Sequence, residues 1–234
     1  MRQPAVAHAS REAVDLGTGL ATESLPPKLP RAARADLADR AARFLLVGLF
    51  TFLAVNIGRD FLQTARLTGL LLLASEALVV VFTAFRRAPM IVDRSLRARL
   101  LTGLSIAGPM LVRPTLLPAF APDAITASVS ACGLSIVIGG KLSLGRSFGL
   151  IPANRGIVCS GLYRFVRHPI YIGYVVTHLA FVAANPSVWN LALLAVADVA
   201  LMARAICEEA TLARDPEYQA YQTRVRWRVV PGVF

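Results

Sequence analysis

Six apolar blocks, at roughly 43–57, 67–85, 100–120, 123–140, 169–184 and 187–206, decide what this chain can fold into. Crossing the hydrocarbon core of a bilayer takes about 20 residues of α-helix, within a range of roughly 17–25. Backbone immersed in lipid must satisfy its own polar groups, so blocks of this length form helices. The expected fold is an all-α, polytopic transmembrane bundle of about six spans with a cytoplasmic C-terminal helix. The first and fifth blocks are short, which flanking residues or local thinning of the bilayer accommodates. The third holds Pro109, Arg113, Pro114 and Pro118, so its outer half is expected to kink or break. Five spans plus a re-entrant piece is the alternative. The chain is 56% hydrophobic, above the ~45–50% of soluble domains.

Charge orients the bundle. Seven Lys and Arg precede the first span, five lie in 86–99, five in 141–167 and five after Met202. The alternate connections hold two, none and none. Basic residues mark the cytoplasmic side, so both termini are expected inside. The links at Ala121-Pro122-Asp123 and Ala184-Asn185-Pro186-Ser187 are short enough to make antiparallel neighbours of spans three and four, and of five and six. The net charge of +11 would suit a nucleic-acid binder. The basic residues flank apolar blocks, however, and no nucleic-acid motif is present. Arginines beside anionic headgroups account for the charge.

The chain reads as three regions: a disordered or interfacial tail over 1–40, four variable helices over 41–140, and a 141–234 region carrying the last two spans. The tail lacks the apolar core of a signal peptide. Residues Arg31 to Arg43 suit a short interfacial helix. Cys132, Cys159 and Cys207 form no CxxC or Cys/His cluster, so neither structural disulfides nor a metal site is expected.

The 141–234 region concentrates the chemistry. His168-Pro169 opens the fifth span with proline at the favoured first helical position. A helix N-terminus beside Arg164 and Arg167 suits an anion, and headgroup anchoring by the same arginines is the alternative. Tyr171, Tyr174 and His178 share one helix face, with His178 about 10 Å deeper than Tyr171. A histidine at that depth needs a partner or a polar cavity. Asp198 continues the Glu209 face of the sixth span into the membrane and is expected to face the bundle, towards His178. Glu208 and Glu209 oppose the macrodipole at that helix's end, and Arg204 can pair with Glu208. Glu76 and Arg113 are a candidate intramembrane pair. No P-loop, G-x-S-x-G or strand-borne G-x-G-x-x-G appears.

The pattern Gly161-Leu-Tyr163-Arg164, Arg167-His168-Pro169, Tyr171 and Gly173, then Glu208-Glu209 and Leu212, Glu217-Tyr218 and Tyr221, and Val230-Pro231-Gly232, resembles the isoprenylcysteine carboxyl methyltransferase family. It is similar also to the related phospholipid N-methyltransferases. The likeness covers 141–234 and implies an integral membrane methyltransferase using S-adenosyl-L-methionine. Carried across, Arg167, His168, Tyr171, Glu208, Glu209, Tyr218 and Tyr221 become cofactor residues. Arg224 and Arg226 fall near the reacting group, and His168 is a candidate base.

Such a cofactor matches the residues. A helix N-terminus with Arg167 suits its carboxylate, a glutamate its ammonium or ribose hydroxyls, and tyrosine faces its sulfonium. The family name implies a prenylated cysteine. The chain's 23 Arg against 2 Lys suggest a GC-rich bacterial genome instead, and so a plasma-membrane enzyme with a lipid or amphiphilic acceptor. The acceptor atom stays open between O, N and S. Two rivals remain: an NADPH-dependent membrane reductase with a similar C-terminal end, and a non-catalytic membrane protein or transporter.

Overall fold

A computed structural model describes residues 31–84, 91–93, 95–148 and 153–234. Residues 31–43, 80, 83–84 and 91–92 are described by their backbone alone. The expected tail over 1–30 and the connections at 85–90 and 149–152 lie outside the described residues. The chain divides into two compact units, Met1–Arg40 and Ala41–Phe234. The second holds the membrane bundle and the region of the motifs.

Seven helices are described: α1 (Arg31–Thr64), α2 (Leu67–Ala84), α3 (Leu96–Met110), α4 (Asp123–Leu144), α5 (Pro169–Ala184), α6 (Val188–Leu212) and α7 (Pro216–Arg224). A two-residue antiparallel bridge joins β1 (Ile91–Val92) to β2 (Ala153–Asn154). The fold is an all-α membrane bundle. Phe44–Thr64, Asp123–Ser147 and Val188–Leu212 are long and apolar enough to span a bilayer, and Leu67–Val79 and Pro169–Ala184 are shorter apolar helices. Helical backbone at Arg31–Arg43 belongs to α1. That helix also runs past its apolar block to Thr64, where Asn56 and Thr64 bond back to the carbonyls of Phe52 and Asp60.

The third block does break. Helix α3 ends at Met110, one residue after Pro109. The backbone beyond it is irregular, and asparagines on the next helical pair take up its polar groups. Arg113 donates its N–H to Asn190 Oδ1 at 3.0 Å and accepts from Asn190 Nδ2 at 2.8 Å. Thr115 N–H reaches Asn185 Oδ1 at 3.1 Å, and Phe120 N–H reaches the Ala183 carbonyl at 2.8 Å. Irregular backbone at membrane depth is tolerated where protein groups replace the missing helical bonds. Arg66 closes this end of the bundle, bonding Asp60, Thr115 and Ala184. Asp123 caps α2 by accepting from Leu67 N–H and the Thr68 hydroxyl.

The break changes which helices pair. The expected packing of span three on span four does not occur. A long irregular link lets α3 pack on α6, while α4 packs on α5 and α2. Small residues make both contacts close. A Cβ on Gly108 would come within 2.6 Å of Ala197 Cβ, and one on Gly173 within 2.6 Å of the Gly133 carbonyl oxygen. In lipid, packing of this kind replaces the hydrophobic drive. The expected Glu76–Arg113 pair is also absent. Because α3 has ended, Arg113 lies over the Trp189 ring at 5.2 Å. Glu76 stays deep in the bundle near Lys141 and His178.

Candidate active site

The starts of α5 and α7 and the end of α6 meet at one end of the bundle. His168 is the N-cap of α5 and Pro169 its first residue. A non-helical residue before proline suits the steric demand of the proline ring. The freed N–H groups are not left open. Arg167 N–H donates to the Trp227 carbonyl at 2.9 Å and His168 N–H to that of Arg228 at 2.7 Å. The segment after α7 therefore runs along the start of α5.

Glu209 sits at the centre, buried. It accepts from Arg167 Nε at 2.8 Å and Nη2 at 3.2 Å, from His168 Nε2 at 3.1 Å and from Arg228 Nε at 2.9 Å. Arg167 Nη1 donates to the carbonyls of Val225 and Arg226 at 2.7 and 2.8 Å. All three guanidinium nitrogens of Arg167 are thus engaged within the protein. Paired in this way, a buried ion pair holds geometry more than it adds stability. The knot ties α6, the start of α5 and the 225–228 segment together.

The other sequence candidates fall into two groups. Tyr171 donates to Glu208 Oε2 at 2.8 Å, and its ring stacks on His168 at 5.0 Å between centroids. Tyr221 donates to the Tyr163 carbonyl at 2.6 Å, and Tyr163, Tyr218, Tyr221 and Val225 form a buried cluster. Burial, and after it the Glu208 carboxylate, pushes the Tyr163 hydroxyl well above its usual range. Burial raises Tyr218 and Tyr221 likewise, so all three are neutral hydroxyls at physiological pH. Arg224 and Arg226 stand apart. Both are exposed and neither lines a cavity of the site. Arg226 contributes its backbone carbonyl to Arg167, and Arg224 approaches Cys159 Sγ at 4.0 Å.

Two cavities adjoin this end. The first encloses about 610 Å³, mouth included, and runs from Phe148, Tyr163 and His168 past Tyr171 and Arg204 to Glu76 and His178. The second encloses about 450 Å³ between Arg155, Arg167, Leu212, Tyr218 and Tyr221. Leu144, Tyr163 and His168 line both. Residues of α2, α3, α5 and α6 all line the first cavity.

Four residues at this end of the bundle take positions that sequence reasoning did not give them. Arg204 was expected to pair with Glu208 along the helix. It lies instead over the Tyr171 ring at 5.4 Å and bonds Ser105 Oγ at 3.4 Å. Its Nε is buried without a partner among the described residues. Lys141, counted with the basic loop, is wholly buried in the last turn of α4. Its Nζ reaches the Ser75 carbonyl at 3.5 Å and lies over the rings of Phe148 and Tyr174 at 5.4 and 5.3 Å. Tyr163 stands out in the sequence only as part of a motif, yet it forms the shared wall. Arg228, which alternates in sequence with Arg224 and Arg226, is the one whose side chain reaches Glu209. The expectation for Asp198 holds: its Oδ1 lies 2.6 Å from His178 Nδ1.

Residues 141–214 match the model of the Isoprenylcysteine carboxyl methyltransferase (ICMT) family. This is the family that the motifs resemble, and the match covers about a third of the chain. No curated protein matches the chain.

Proposed function

We propose that the chain takes a methyl group from S-adenosyl-L-methionine and passes it to a lipid or amphiphilic acceptor. The observation that carries this reading is the meeting of two cavities at Leu144, Tyr163 and His168, all inside the stretch that matches the family. A transfer between two ligands needs two sites with a common wall, because positioning supplies much of the rate.

The residues present fit this cofactor, which when bound supplies an electrophilic methyl group on a sulfonium. The unpartnered, buried Nε–H of Arg204 is a donor for a carboxylate. The faces of Tyr163, Tyr171 and Tyr218 suit a sulfonium by cation–π attraction. His168, Tyr171 and Tyr218 contact the cofactor in this reading, and Glu208 fixes the Tyr171 hydroxyl. Arg167, Glu209 and Tyr221 hold the wall, since their own groups are committed to the protein. Exposed Arg224 and Arg226 take no part at the reacting centre. The first cavity reaches between α2 and α3, which supports entry of an amphiphile from the bilayer. The basic connections support a cytoplasmic placement of the site and of both termini, in a bacterial plasma membrane.

Calorimetry on the purified protein in detergent tests the reading. S-adenosylhomocysteine is expected to bind, and NADPH is not. Binding of NADPH alone would establish the reductase in its place. Binding of neither would leave a non-catalytic membrane protein.

A further inference from the structure

The deep end of the first cavity contains groups that cofactor binding does not use. His178 is buried, and its Nδ1 lies 2.6 Å from Asp198 Oδ1. A carboxylate only accepts, so Nδ1 carries a proton, and in the neutral ring Nε2 carries the lone pair. Nε2 is buried with no hydrogen-bond partner among the described residues, on a ring that lines the cavity. Leaving a buried polar atom unpaired costs roughly 1–3 kcal/mol, a cost that a ligand's O–H or N–H removes. Glu76 Oε1, on α2 and lining the same cavity, is unpartnered in the same way.

We propose that His178 is the general base of the transfer, with Asp198 as its positioning residue, and that the acceptor atom carries a proton. This rests on the methyltransferase reading above. The acceptor is a hydroxyl or amine borne by an amphiphile, and not a carboxylate. Its lone pair forms the new bond to the methyl carbon while the carbon–sulfur bond breaks, and that electron pair stays on the sulfur. The acceptor's proton passes to His178 Nε2, and the Asp198 carboxylate stabilises the imidazolium. A carboxylate acceptor has no proton to give and would share the cavity with the Glu76 side chain. The charged and titratable groups around His178 come from every packed helix: Glu76 on α2, Lys141 on α4, Tyr174 stacked on it at 6.2 Å, and Asp198 and Arg204 on α6. Helix α3 brings only the Ser105 hydroxyl to the cavity.

Membranes containing the protein are incubated with methyl-labelled S-adenosylmethionine, and the lipid extract is treated with alkali. Methyl ethers and methylamines keep their label, whereas methyl esters release it as methanol. Alkali-stable label is expected, and release of the label overturns the proposal. His178→Gln should lower transfer by about 10²–10⁴-fold and remove the acid limb of the pH–rate profile, while S-adenosylhomocysteine binds as before. Asp198→Asn should cost less and shift that limb. Full transfer with an unchanged profile in His178→Gln overturns the proposal and leaves the methyltransferase reading intact. Failure of wild-type protein to bind S-adenosylhomocysteine removes the reading itself. Nitrogen NMR of histidine-labelled protein tests the tautomer without turnover. The neutral ring of His178 is expected as the Nδ1–H form with a free Nε2, and the Nε2–H tautomer instead overturns the assignment.

Discussion

Two buried polar clusters lie along α5, and they differ in how completely their bonds are used. Around Glu209 every carboxylate oxygen and every guanidinium nitrogen of Arg167 has a partner within the chain. Deeper in the bundle, Glu76, His178 and Arg204 each keep one buried polar atom without one among the described residues. A fully satisfied network fixes structure, and a partly satisfied one is costly unless something binds to it. The contrast separates residues that build the site from residues that are free to meet a ligand, although both sets are charged, buried and close together.

Glu209→Ala attacks the satisfied cluster and should have the largest effect. It strands the buried Arg167 charge, and breaking a buried pair costs about 3–5 kcal/mol. The fall should appear in the unfolding midpoint in detergent. Arg204→Met attacks the open cluster. Replacing a poorly partnered buried charge with an apolar chain should leave stability within about 1 kcal/mol, or raise it. Binding of S-adenosylhomocysteine should nonetheless fall at least tenfold by calorimetry. Equal loss of stability in these two variants would erase the distinction. Arg226→Ala keeps the backbone carbonyl that Arg167 uses and removes only an exposed side chain. It should change stability by less than about 0.5 kcal/mol and leave binding unchanged, a direct contrast with its neighbour Arg228.

The helices were legible because apolar length and proline position are properties of the chain itself. The break after Pro109 and the His178–Asp198 contact both follow from local rules, the second from helical spacing alone. The partner of α3 was not legible. The choice of α6 over α4 as the partner of α3 depends on an irregular link whose length appears only once Met110 ends the helix. The partition of the arginines was hidden for a similar reason. Arg224, Arg226 and Arg228 alternate identically in sequence, and only the approach of the 225–228 segment to α5 brings Arg228 to Glu209. Arg167 reads as an open cation in the sequence because its acceptors at Val225 and Arg226 lie 58 and 59 residues away.

The clasp of 225–228 over Arg167 also sets an order of events. Synthesis runs from the N-terminus, so the ribosome releases the α5–α6 hairpin before the residues that clasp it. At that stage Arg167 and Glu209 have each other and His168, but the Val225 and Arg226 carbonyls and the Arg228 side chain do not yet exist. The hairpin can insert and pack, yet the shared wall at His168 still lacks its backbone anchor on Arg228. The wall is therefore completed late, and a nascent chain cut short of Val225 would be a helical bundle whose wall at His168 is unfinished.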